Sequence, residues 1–404
     1  MNNKRNIILV TSKYPYSYGE QFIETEIQYW QLSNVTILPT QKADTIRDTL
    51  GVKVDSRLAE SFGLYRKIDI SSIFSTLFSP YLIKELINNP KLFMSMSKLK
   101  NLFRFEYLTQ RFISAFGKLY KGSDLRKTTF YTYWFSWSSC ALSRLKASYG
   151  FKLITRCHRV DLYSYAQPSN YMPYQKSYAS NIDEIHSISL DGASYLEEKY
   201  DIPNSKIKVS RLGVQQAYKL PAENQEDIVH FVSVSYVKPV KRVLLIAKMI
   251  NNFALNNPKK RILWTHFGDG VEFNQLKNYV ADFKASVNLM GMTSNQDIIN
   301  FYADNYVDIF INLSLSEGIP VSIMEAISFG IPVIATDSGG VNEIVSKDVG
   351  VLLDLDFEYD VFESAVFELL SVDRELVLDF FDANYNAEYN YTRFVQGLDN
   401  GFQS

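Results

Sequence analysis

The chain has 404 residues, of which 46% are hydrophobic and 21% are charged, and its formal net charge at pH 7 is −2. A chain of this length is longer than a domain with a single hydrophobic core usually is, and it fits two domains of about 200 residues each. The composition is that of a globular protein. The near-neutral balance argues against a general nucleic-acid binder, so no nucleic-acid partner is predicted.

The first half of the sequence alternates short apolar, β-rich runs with helical patterns. Strands are predicted at residues 6–11, 35–38, 129–134, 152–156, 185–188 and 207–211, and helices at 22–31, 136–149 and 190–199. A long helical and aromatic stretch lies between the second and third of these strands, at 58–120. Residues 216–227 contain Pro221 and mixed polar side chains, a composition typical of an interdomain linker.

A second alternating series begins at residue 228. Its strands are predicted at residues 228–235, 261–267, 287–290, 308–313, 332–336 and 350–353, with helices between them. Such alternation predicts parallel sheets covered by helices on both faces. The predicted fold class is therefore α/β, with doubly wound, Rossmann-like domains at 1–215 and 228–382. Residues from 383 onward are predicted to be helical.

Targeting and membrane-spanning segments are not predicted. No run of 18 apolar residues occurs, and the N-terminus leads directly into a strand rather than a signal peptide. The two cysteines, Cys140 and Cys157, favour packed thiols over a disulfide. The predicted location is the cytoplasm.

The most informative chemical pattern follows the predicted strand at 308–313. Glu317 lies in a strand-to-helix loop, and Glu325 lies on the second turn of the helix that follows. A helix N-terminus preceded by glycine offers backbone N–H groups to an anion. Two carboxylates beside it suit a ligand with both phosphate and hydroxyl groups, as a nucleotide sugar has. The alternative is a solvated Glu317 and an exposed, helix-face Glu325.

The stretch 317–343, which includes Gly-Ile-Pro-Val-Ile-Ala-Thr-Asp-Ser-Gly-Gly at 330–340, closely resembles the donor-binding core of one enzyme family. This is glycosyltransferase family 4, the retaining glycosyltransferases of GT-B fold. The resemblance implies two Rossmann-like domains that face each other across a cleft, with a C-terminal helix at 383–404 packed back on the first. The resemblance also implies that Glu317 contacts hydroxyl groups of the donor sugar and that Glu325 binds the ribose of the nucleotide. The loop between them faces the sugar and phosphates, through Gly318, Ile319, Pro320 and Val321.

The loop after the strand at 228–235 carries cations, which suit the charge of a donor diphosphate. Many family members have an arginine and a lysine five residues apart here. Lys241 matches the lysine, whereas Tyr236 occupies the arginine position. Arg242 is a candidate replacement, and Lys238 is interpreted as solvated.

The next strand ends in His266-Phe267-Gly268-Asp269-Gly270. The resemblance places this loop near the nucleotide base and phosphate, and Gly268 and Gly270 fit the family's Gly-x-Gly pattern. His266 is interpreted as a packed or capping residue.

In the first domain, residues 158–163 resemble the family's His-x-x-Asp-Leu-Tyr segment, with Arg159 where glycine is common. His158 lies after a strand, where open α/β sheets bind ligands, and the resemblance implies that it helps to hold the donor sugar. Asp161 either orients His158 or starts the next helix. The loop at 12–23 resembles the family's first strand-to-helix loop, which assigns Gly19 to the donor.

Asp354-Leu355-Asp356 spells the Asp-x-Asp motif with which another glycosyltransferase fold binds a divalent metal. It follows the last predicted strand, where GT-B members hold no metal. Neither a metal nor a cofactor is therefore predicted, and the nucleotide sugar is the donor substrate.

Residues 91–127 carry nine Lys or Arg against two acidic residues and interleave them with Leu and Phe. Basic amphipathic helices with aromatic residues lie on anionic membrane surfaces. This favours peripheral contact with the inner face of the plasma membrane. The alternative is an ordinary helix pair with a charged outer face.

The predicted function is that of a retaining, metal-independent glycosyltransferase of the hexosyltransferase type. It would move a sugar, for instance from a UDP-sugar, to a carbohydrate or lipid-linked saccharide during capsule or lipopolysaccharide biosynthesis, with His158, Glu317 and Lys241 in catalytic roles. Two alternatives stay open: a nucleotide-sugar epimerase or phosphorylase of the same fold, and a non-catalytic GT-B subunit, which Tyr236 favours. The sequence does not identify the donor sugar, the base, the acceptor or the oligomeric state.

Overall fold

The computed structural model describes residues 6–17, 20, 22–30, 34–62, 69–216 and 228–400. The chain divides into two compact units: Met1–Arg211 together with Tyr391–Ser404, and Leu212–Asn390. Of the predicted linker at 216–227, all but residue 216 lies outside the described residues.

The first unit is built on a parallel sheet with seven described strands. They are β1 (Asn6–Thr11), β2 (Val35–Pro39), β3 (Lys53–Val54), β4 (Thr128–Thr132), β5 (Lys152–Cys157), β6 (Glu184–Ser187) and β7 (Ile207–Val209). Their spatial order is β3-β2-β1-β4-β5-β6-β7. The order reverses direction between β1 and β4, which makes the carboxyl ends of these two strands a topological switch point.

The described helices of the first unit cover both faces of this sheet. They are α1 (Phe22–Glu26), α2 (Arg57–Phe62), α3 (Ile70–Leu77), α4 (Pro80–Asn88), α5 (Met96–Leu119), α6 (Trp137–Tyr149), α7 (Arg159–Leu162), α8 (Gln175–Ala179) and α9 (Leu190–Tyr200). Single 3-10 turns lie at Ile27–Trp30, Pro90–Met94, Ser164–Ala166 and Asn204–Lys206.

The predicted helical stretch at 58–120 is thus divided into several helices. Pro80 and Pro90 each stand at the start of a new element, where a missing backbone N–H costs nothing. Ser79 and Ser95 cap α4 and α5, since their hydroxyls accept from the backbone N–H of Leu82 and Lys98.

The second unit repeats the same plan. Its described strands are β8 (Ile228–Val234), β9 (Arg261–Phe267), β10 (Ser286–Gly291), β11 (Ile309–Asn312), β12 (Val333–Thr336) and β13 (Gly350–Leu353). They are parallel, in the order β10-β9-β8-β11-β12-β13. The switch point therefore lies between β8 and β11, which is the arrangement of a doubly wound, Rossmann-like sheet.

Seven described helices begin in the second unit. They are α10 (Val243–Asn256), α11 (Phe273–Tyr279), α12 (Asn295–Asp304), α13 (Val321–Ile327), α14 (Tyr359–Leu369), α15 (Arg374–Asn384) and α16 (Ala387–Asn400), with 3-10 turns at Pro239–Lys241 and Gly339–Glu343.

The C-terminal helix α16 starts in the second unit and ends in the first. Phe394, Val395 and Leu398 are buried in the first unit's core, beside Trp30 and Tyr131. The helix starts at Ala387 and not at residue 383, where α15 is still running. Asn386 interrupts the two helices because its backbone pairs with Val214.

Cys140 and Cys157 are both buried and unpaired, which confirms the prediction of packed thiols. Burial raises the pKa of the Cys140 thiol to about 12. In the described part of the chain, no helix has both the length and the apolar character that a bilayer crossing requires.

Candidate functional site

In the second unit, the loops after β8 and β11 meet at the switch point. The loop after β8 carries Lys241 and Arg242, and the loop after β11 carries Glu317 and leads through α13 to Glu325. A backbone hydrogen bond from Leu315 N to the carbonyl of Val240, at 2.8 Å, joins the two loops. The residues that the sequence suggested for a donor site thus come from neighbouring loops, at the edge where open α/β sheets bind ligands.

Lys241 and Glu317 form an ion pair, in which Nζ of the lysine donates to Oε1 of the glutamate. Only 7% of the Glu317 surface is exposed. An ammonium group carries three N–H donors, so Lys241 can hold Glu317 and a second anion at the same time. The pair therefore places one positive and one negative group side by side at the carboxyl ends of β8 and β11.

Arg242 lies in the left-handed region, with a φ of 49°, and caps α10. Its Nε donates to the carbonyl of Leu313 at 2.6 Å, and its Nη1 donates to the carbonyl of Leu355 at 2.8 Å. Partial burial lowers the pKa of its guanidinium. Two of its donors thus hold the chain that follows β11 and β13, and its role as a replacement phosphate ligand stays a prediction.

Tyr236, at the position where the family commonly has arginine, is 53% exposed. The Nζ of Lys238 lies 4.6 Å from the centroid of its ring, at the distance of a cation–π contact. The loop after β8 therefore presents an aromatic ring with an exposed lysine beside it.

Glu325 is 7% exposed, and its Oε1 accepts a hydrogen bond of 2.6 Å from Nδ2 of Asn295. Burial raises the pKa of the Glu325 carboxyl to about 7, although the amide of Asn295 acts in the opposite direction. The alternative of a solvated Glu317 with an exposed Glu325 is therefore wrong. Asn295, the first residue of α12, carries no motif of its own and was not predicted as a site residue.

A pair of glycines supports the loop that carries Glu317. Gly339 has a φ of 61°, and a Cβ there would lie 2.1 Å from the carbonyl oxygen of Glu317. A Cβ on Gly340 would lie 2.9 Å from the carbonyl oxygen of Gly318. Side chains at these positions would displace the loop between the two glutamates.

Gly268 and Gly270 have a similar function in the neighbouring loop. A Cβ on Gly268, whose φ is 137°, would lie 1.9 Å from the carbonyl oxygen of Ser235, and one on Gly270 would lie 2.3 Å from that of Val237. These glycines allow the loop after β9 to pack against the loop that carries Lys241. His266 is fully buried with Nδ1 2.9 Å from Oγ of Ser233, which confirms its interpretation as a packed residue. Burial lowers its pKa to about 4.

In the first unit, His158 follows β5 and precedes α7. Its ring packs against the rings of Tyr133 and Trp134, with centroid distances of 4.9 and 4.7 Å. Both ring nitrogens are buried and have no hydrogen-bond partner among the described residues. Nδ1 lies 3.8 Å from Oδ2 of Asp161, which is too far for a hydrogen bond.

Asp161 is the third residue of α7 and caps the start of this helix. Its Oδ1 accepts from the backbone N–H of His158 at 2.5 Å, which caps α7. Its Oδ2 accepts from the backbone N–H of Phe135 at 2.8 Å. The carboxylate thus joins the loops after β4 and β5 and fixes the backbone of His158.

Glu20 occupies the first strand-to-helix loop. Its carboxylate accepts from the backbone N–H groups of Ser12, Lys13 and Tyr14 at 2.9, 2.6 and 2.7 Å, and from the indole N–H of Trp134. The backbone N–H groups of the loop that follows β1 are therefore occupied by the carboxylate of Glu20, a residue of the same loop. Gly19, which the resemblance assigned to the donor, lies outside the described residues. No sequence pattern predicted a role for Glu20 or Trp134.

A pocket of about 500 Å³ lies beside this loop, in the first unit. Its wall combines loop residues after β1 and β4 with residues of α5, and its polar side chains include Lys13, Glu20, Asn101, Arg104, Trp134 and Asp161. Cationic and amide donors next to an indole ring suit a polar ligand with hydroxyl or phosphate groups.

Asp354 and Asp356 directly follow β13. Within the described ranges, no group of three or more His, Cys, Asp or Glu side chains is arranged to hold a metal ion. The absence of a metal from the reaction stays a prediction.

Residues 216–380 match the model of the family described as glycosyl transferases group 1. The chain is 30% identical over 202 residues to the UDP-Gal:alpha-D-GlcNAc-diphosphoundecaprenol alpha-1,3-galactosyltransferase of Escherichia coli, a match that covers 47% of this chain and 50% of that protein. It is 25% identical over 205 residues to the putative colanic acid biosynthesis glycosyltransferase WcaL of Escherichia coli strain K12, covering 49% and 50%. The chain thus spans about half the length of the curated relatives it matches.

Solved structures match nearly the whole chain. The lipopolysaccharide outer core galactosyltransferase WaaB, in its apo form, has a TM-score of 0.69 at 14% identity and covers 97% of this chain and 98% of its own. Anabaena Alr3699/HepE in complex with UDP has a TM-score of 0.64 at 10% identity, covering 97% and 99%. At this identity the likeness shows the fold alone. With the two parallel sheets, it confirms the GT-B fold.

Proposed function

We propose that the protein transfers a sugar from a nucleoside diphosphate donor to a carbohydrate or lipid-linked saccharide, because residues 216–380 match the model of the family described as glycosyl transferases group 1. The curated relative named for colanic acid biosynthesis supports this reading. The observation that carries it is the pair of buried carboxylates, Glu317 and Glu325, at the switch point of the second sheet.

The donor would lie on the loops after β8 and β11. An ionised carboxylate only accepts hydrogen bonds, so Glu317 is suited to the hydroxyl groups of the donor sugar and Glu325 to those of the ribose. Lys241 would contact the diphosphate while it remains paired with Glu317. A UDP-sugar is the proposed donor, because one relative is named for UDP-Gal and one structural neighbour holds UDP.

The acceptor would lie in the pocket of the first unit, where Lys13 and Arg104 offer positive charge beside Trp134. This suits a saccharide attached to a phosphate group, and the relative from Escherichia coli is named for a diphosphate-linked lipid acceptor. His158, with two buried ring nitrogens and no partner among the described residues, is the proposed contact to the donor sugar.

In the proposed reaction, the bond between the anomeric carbon and the diphosphate oxygen breaks, and a bond from that carbon to the acceptor oxygen forms. The acceptor proton leaves with the nucleoside diphosphate. Lys241 and the amides of the Gly318–Val321 loop would stabilise the charge that develops on the diphosphate, with no metal involved. Retention at the anomeric carbon is proposed on the family resemblance.

The test is thermal stabilisation of the purified protein by a panel of UDP-, GDP-, ADP- and CMP-sugars in the presence of EDTA. A ligand that binds only the folded state raises the melting temperature according to its concentration and dissociation constant. We expect a selective shift with UDP-sugars that is lost in Glu325→Ala. It should persist in a control, Glu368→Ala, which removes an exposed carboxylate on α14.

A donor that stabilises the protein is then offered with and without saccharide acceptors. Release of UDP only when an acceptor is present supports transfer. Conversion of the donor without an acceptor, or only with phosphate, would favour an epimerase or a phosphorylase. Absence of a shift with every nucleotide sugar would contradict the proposal and favour a non-catalytic GT-B subunit.

A further inference from the structure

Helix α3 has its apolar stripe on the outside. Ile70, Ile73, Phe74 and Leu77 recur with helical spacing and are all exposed. The buried face of this helix instead carries the hydroxyl side chains of Ser72 and Thr76. A surface helix of a globular protein normally turns its apolar stripe towards the core, so this orientation needs a reason.

The exposed apolar residues continue past the end of α3. Phe78 is 74% exposed, and Met94 is 87% exposed. The others are Ile83 and Ile87 on α4, Phe93 in the 3-10 turn Pro90–Met94, and Met96 at the start of α5. These elements are consecutive, and α3, α4 and the 3-10 turn each pack on α5, so their exposed side chains are grouped around this helix. We call residues 70–96 the apolar surface.

After Met96, no large apolar side chain of helix α5 is exposed. Its large side chains Leu102, Phe112 and Phe116 are buried in the core of the first unit. The segment predicted to contact a membrane, residues 91–127, therefore contributes mainly positive charge after Met96. The apolar contacts come from the elements that precede it.

The charge around the apolar surface is positive. Between residues 69 and 104 there are five Lys or Arg and two acidic residues. Lys84, Lys91 and Lys100 are exposed. Of the two acids, Asp69 caps α3, and Glu85 accepts a hydrogen bond of 2.6 Å from the hydroxyl of Tyr171.

We propose that the apolar surface docks on an anionic lipid bilayer, with its apolar side chains in the acyl region and its lysines at the phosphates. Exposed aliphatic and aromatic residues surrounded by lysines complement this environment in both polarity and charge. A second copy of the chain would bring the same lysines against each other, and like charges that face each other oppose association.

The location of the surface also bears on the acceptor, in a step that rests on the proposed function. Met96 at the start of α5 belongs to the apolar surface, and Arg104, eight residues later, lines the pocket. At 1.5 Å per residue this separates them by about 12 Å along the helix. An acceptor anchored in the bilayer by its lipid would thus carry its phosphate and sugar close to the pocket.

The experiment is flotation of the full chain with vesicles of phosphatidylcholine, with and without phosphatidylglycerol. We expect binding to the anionic vesicles and weaker binding at high salt, because salt screens the attraction between lysines and phosphates. Phe78→Ser/Met94→Ser should weaken this binding by at least about tenfold. The matched control, Val271→Ser/Met292→Ser, replaces two exposed apolar residues of the second unit and should bind as the wild type does.

Lys84→Ala/Lys91→Ala should also bind less, whereas Lys259→Ala/Lys260→Ala, which removes exposed lysines of the second unit, should not. The proposal is overturned if the wild type does not bind anionic vesicles. It is also overturned if Phe78→Ser/Met94→Ser binds them as well as the wild type does. A lipid-free dimer that this variant abolishes would assign the surface to a second copy instead. The donor-induced thermal shift of the variant reports on the transferase proposal separately, since neither residue belongs to the donor site.

Discussion

Asn295 donates from Nδ2 to Oε1 of Glu325 at 2.6 Å, so the described partner of this buried carboxyl is a neutral amide. Burial raises its pKa from 4.5 to about 7. Glu317, at the other end of the same loop and helix, is paired with the Lys241 ammonium. The two carboxylates of the proposed donor site thus lie in different electrostatic environments, one beside an ammonium group and the other beside an amide.

Donor affinity should therefore depend on pH. Ribose hydroxyls that donate to Glu325 favour its ionised form, so donor binding below the pKa of about 7 must displace a proton. We expect the dissociation constant to rise by about tenfold per pH unit below this value and to level off above it. Calorimetry in two buffers of different ionisation enthalpy measures the released proton. Glu325→Gln should show no such release, and a pH-independent wild-type affinity would contradict this account.

Stability should depend on the same group with a defined sign. The folded state binds the Glu325 proton more tightly than the unfolded state, so this contribution is fully present below pH 4.5 and is lost as pH rises to about 7. At about 1.4 kcal/mol per pKa unit, the wild type should lose up to about 3 kcal/mol relative to Glu325→Gln over this window. Urea unfolding of both proteins across the window measures it, and parallel pH curves would contradict the assignment.

The Lys241–Glu317 ion pair should contribute both to the free energy of unfolding and to kcat. Lys241→Ala leaves a nearly buried carboxylate without its cation, so it should destabilise the protein more than Lys241→Ala/Glu317→Gln, by about 1–3 kcal/mol. Each single variant should lower kcat by about 100-fold to 1000-fold if the groups act on the diphosphate and the sugar. A double-mutant cycle by urea unfolding and steady-state kinetics separates the two effects. Transfer at the wild-type rate by both single variants would refute the mechanism.

The strands of both sheets were predictable because parallel strands covered on both faces are short, nearly continuous apolar runs. Glu317 and Glu325 were predictable from their flanking glycines and prolines. β3 was missed because two residues, Lys53 and Val54, cannot show a periodic pattern.

Contacts between distant parts of the chain were not predictable. Asn295 reaches Glu325 across 30 positions, and Glu20 reaches Trp134 across 114. Two donor groups of Arg242 bind carbonyls 71 and 113 residues away. Each of these partners is defined by the order of the strands in the sheet and not by a local pattern. The outward stripe of α3 was hidden for a related reason, since its periodicity alone predicts a buried face.

Gly339 and Gly291 have nearly the same φ but different surroundings. Alanine substitutions at the two positions therefore distinguish the cost of backbone strain from the effect of displacing a loop. Gly339 has a φ of 61°, and a Cβ there would lie 2.1 Å from the carbonyl oxygen of Glu317, whereas Gly291 has a φ of 66° with nothing within 4 Å. Gly291→Ala should cost only the left-handed backbone penalty of about 1–2 kcal/mol and leave donor binding unchanged. Gly339→Ala should cost more and weaken donor binding as well. Thermal unfolding and donor titration of both variants test this, and equal losses would show that the contact with Glu317 is unimportant.

His158 should be needed for transfer but not for folding. His158→Phe keeps a flat ring against Tyr133 and Trp134 and removes two nitrogens that have no hydrogen-bond partner among the described residues, so its melting temperature should stay close to that of the wild type. Its kcat should fall by about 100-fold or more if these nitrogens contact the donor sugar in the transition state.

Asp161→Asn is the comparison that distinguishes this role from a structural one. An amide oxygen replaces only one of the two carboxylate oxygens that accept from the backbone N–H groups of His158 and Phe135. We expect a loss of about 1–2 kcal/mol in the free energy of unfolding, with kcat reduced less than in His158→Phe. Chemical denaturation and initial-rate kinetics of both variants give the two readouts. If His158→Phe unfolds more readily than Asp161→Asn and retains its kcat, the histidine is a packing residue and the donor sugar is held by other groups.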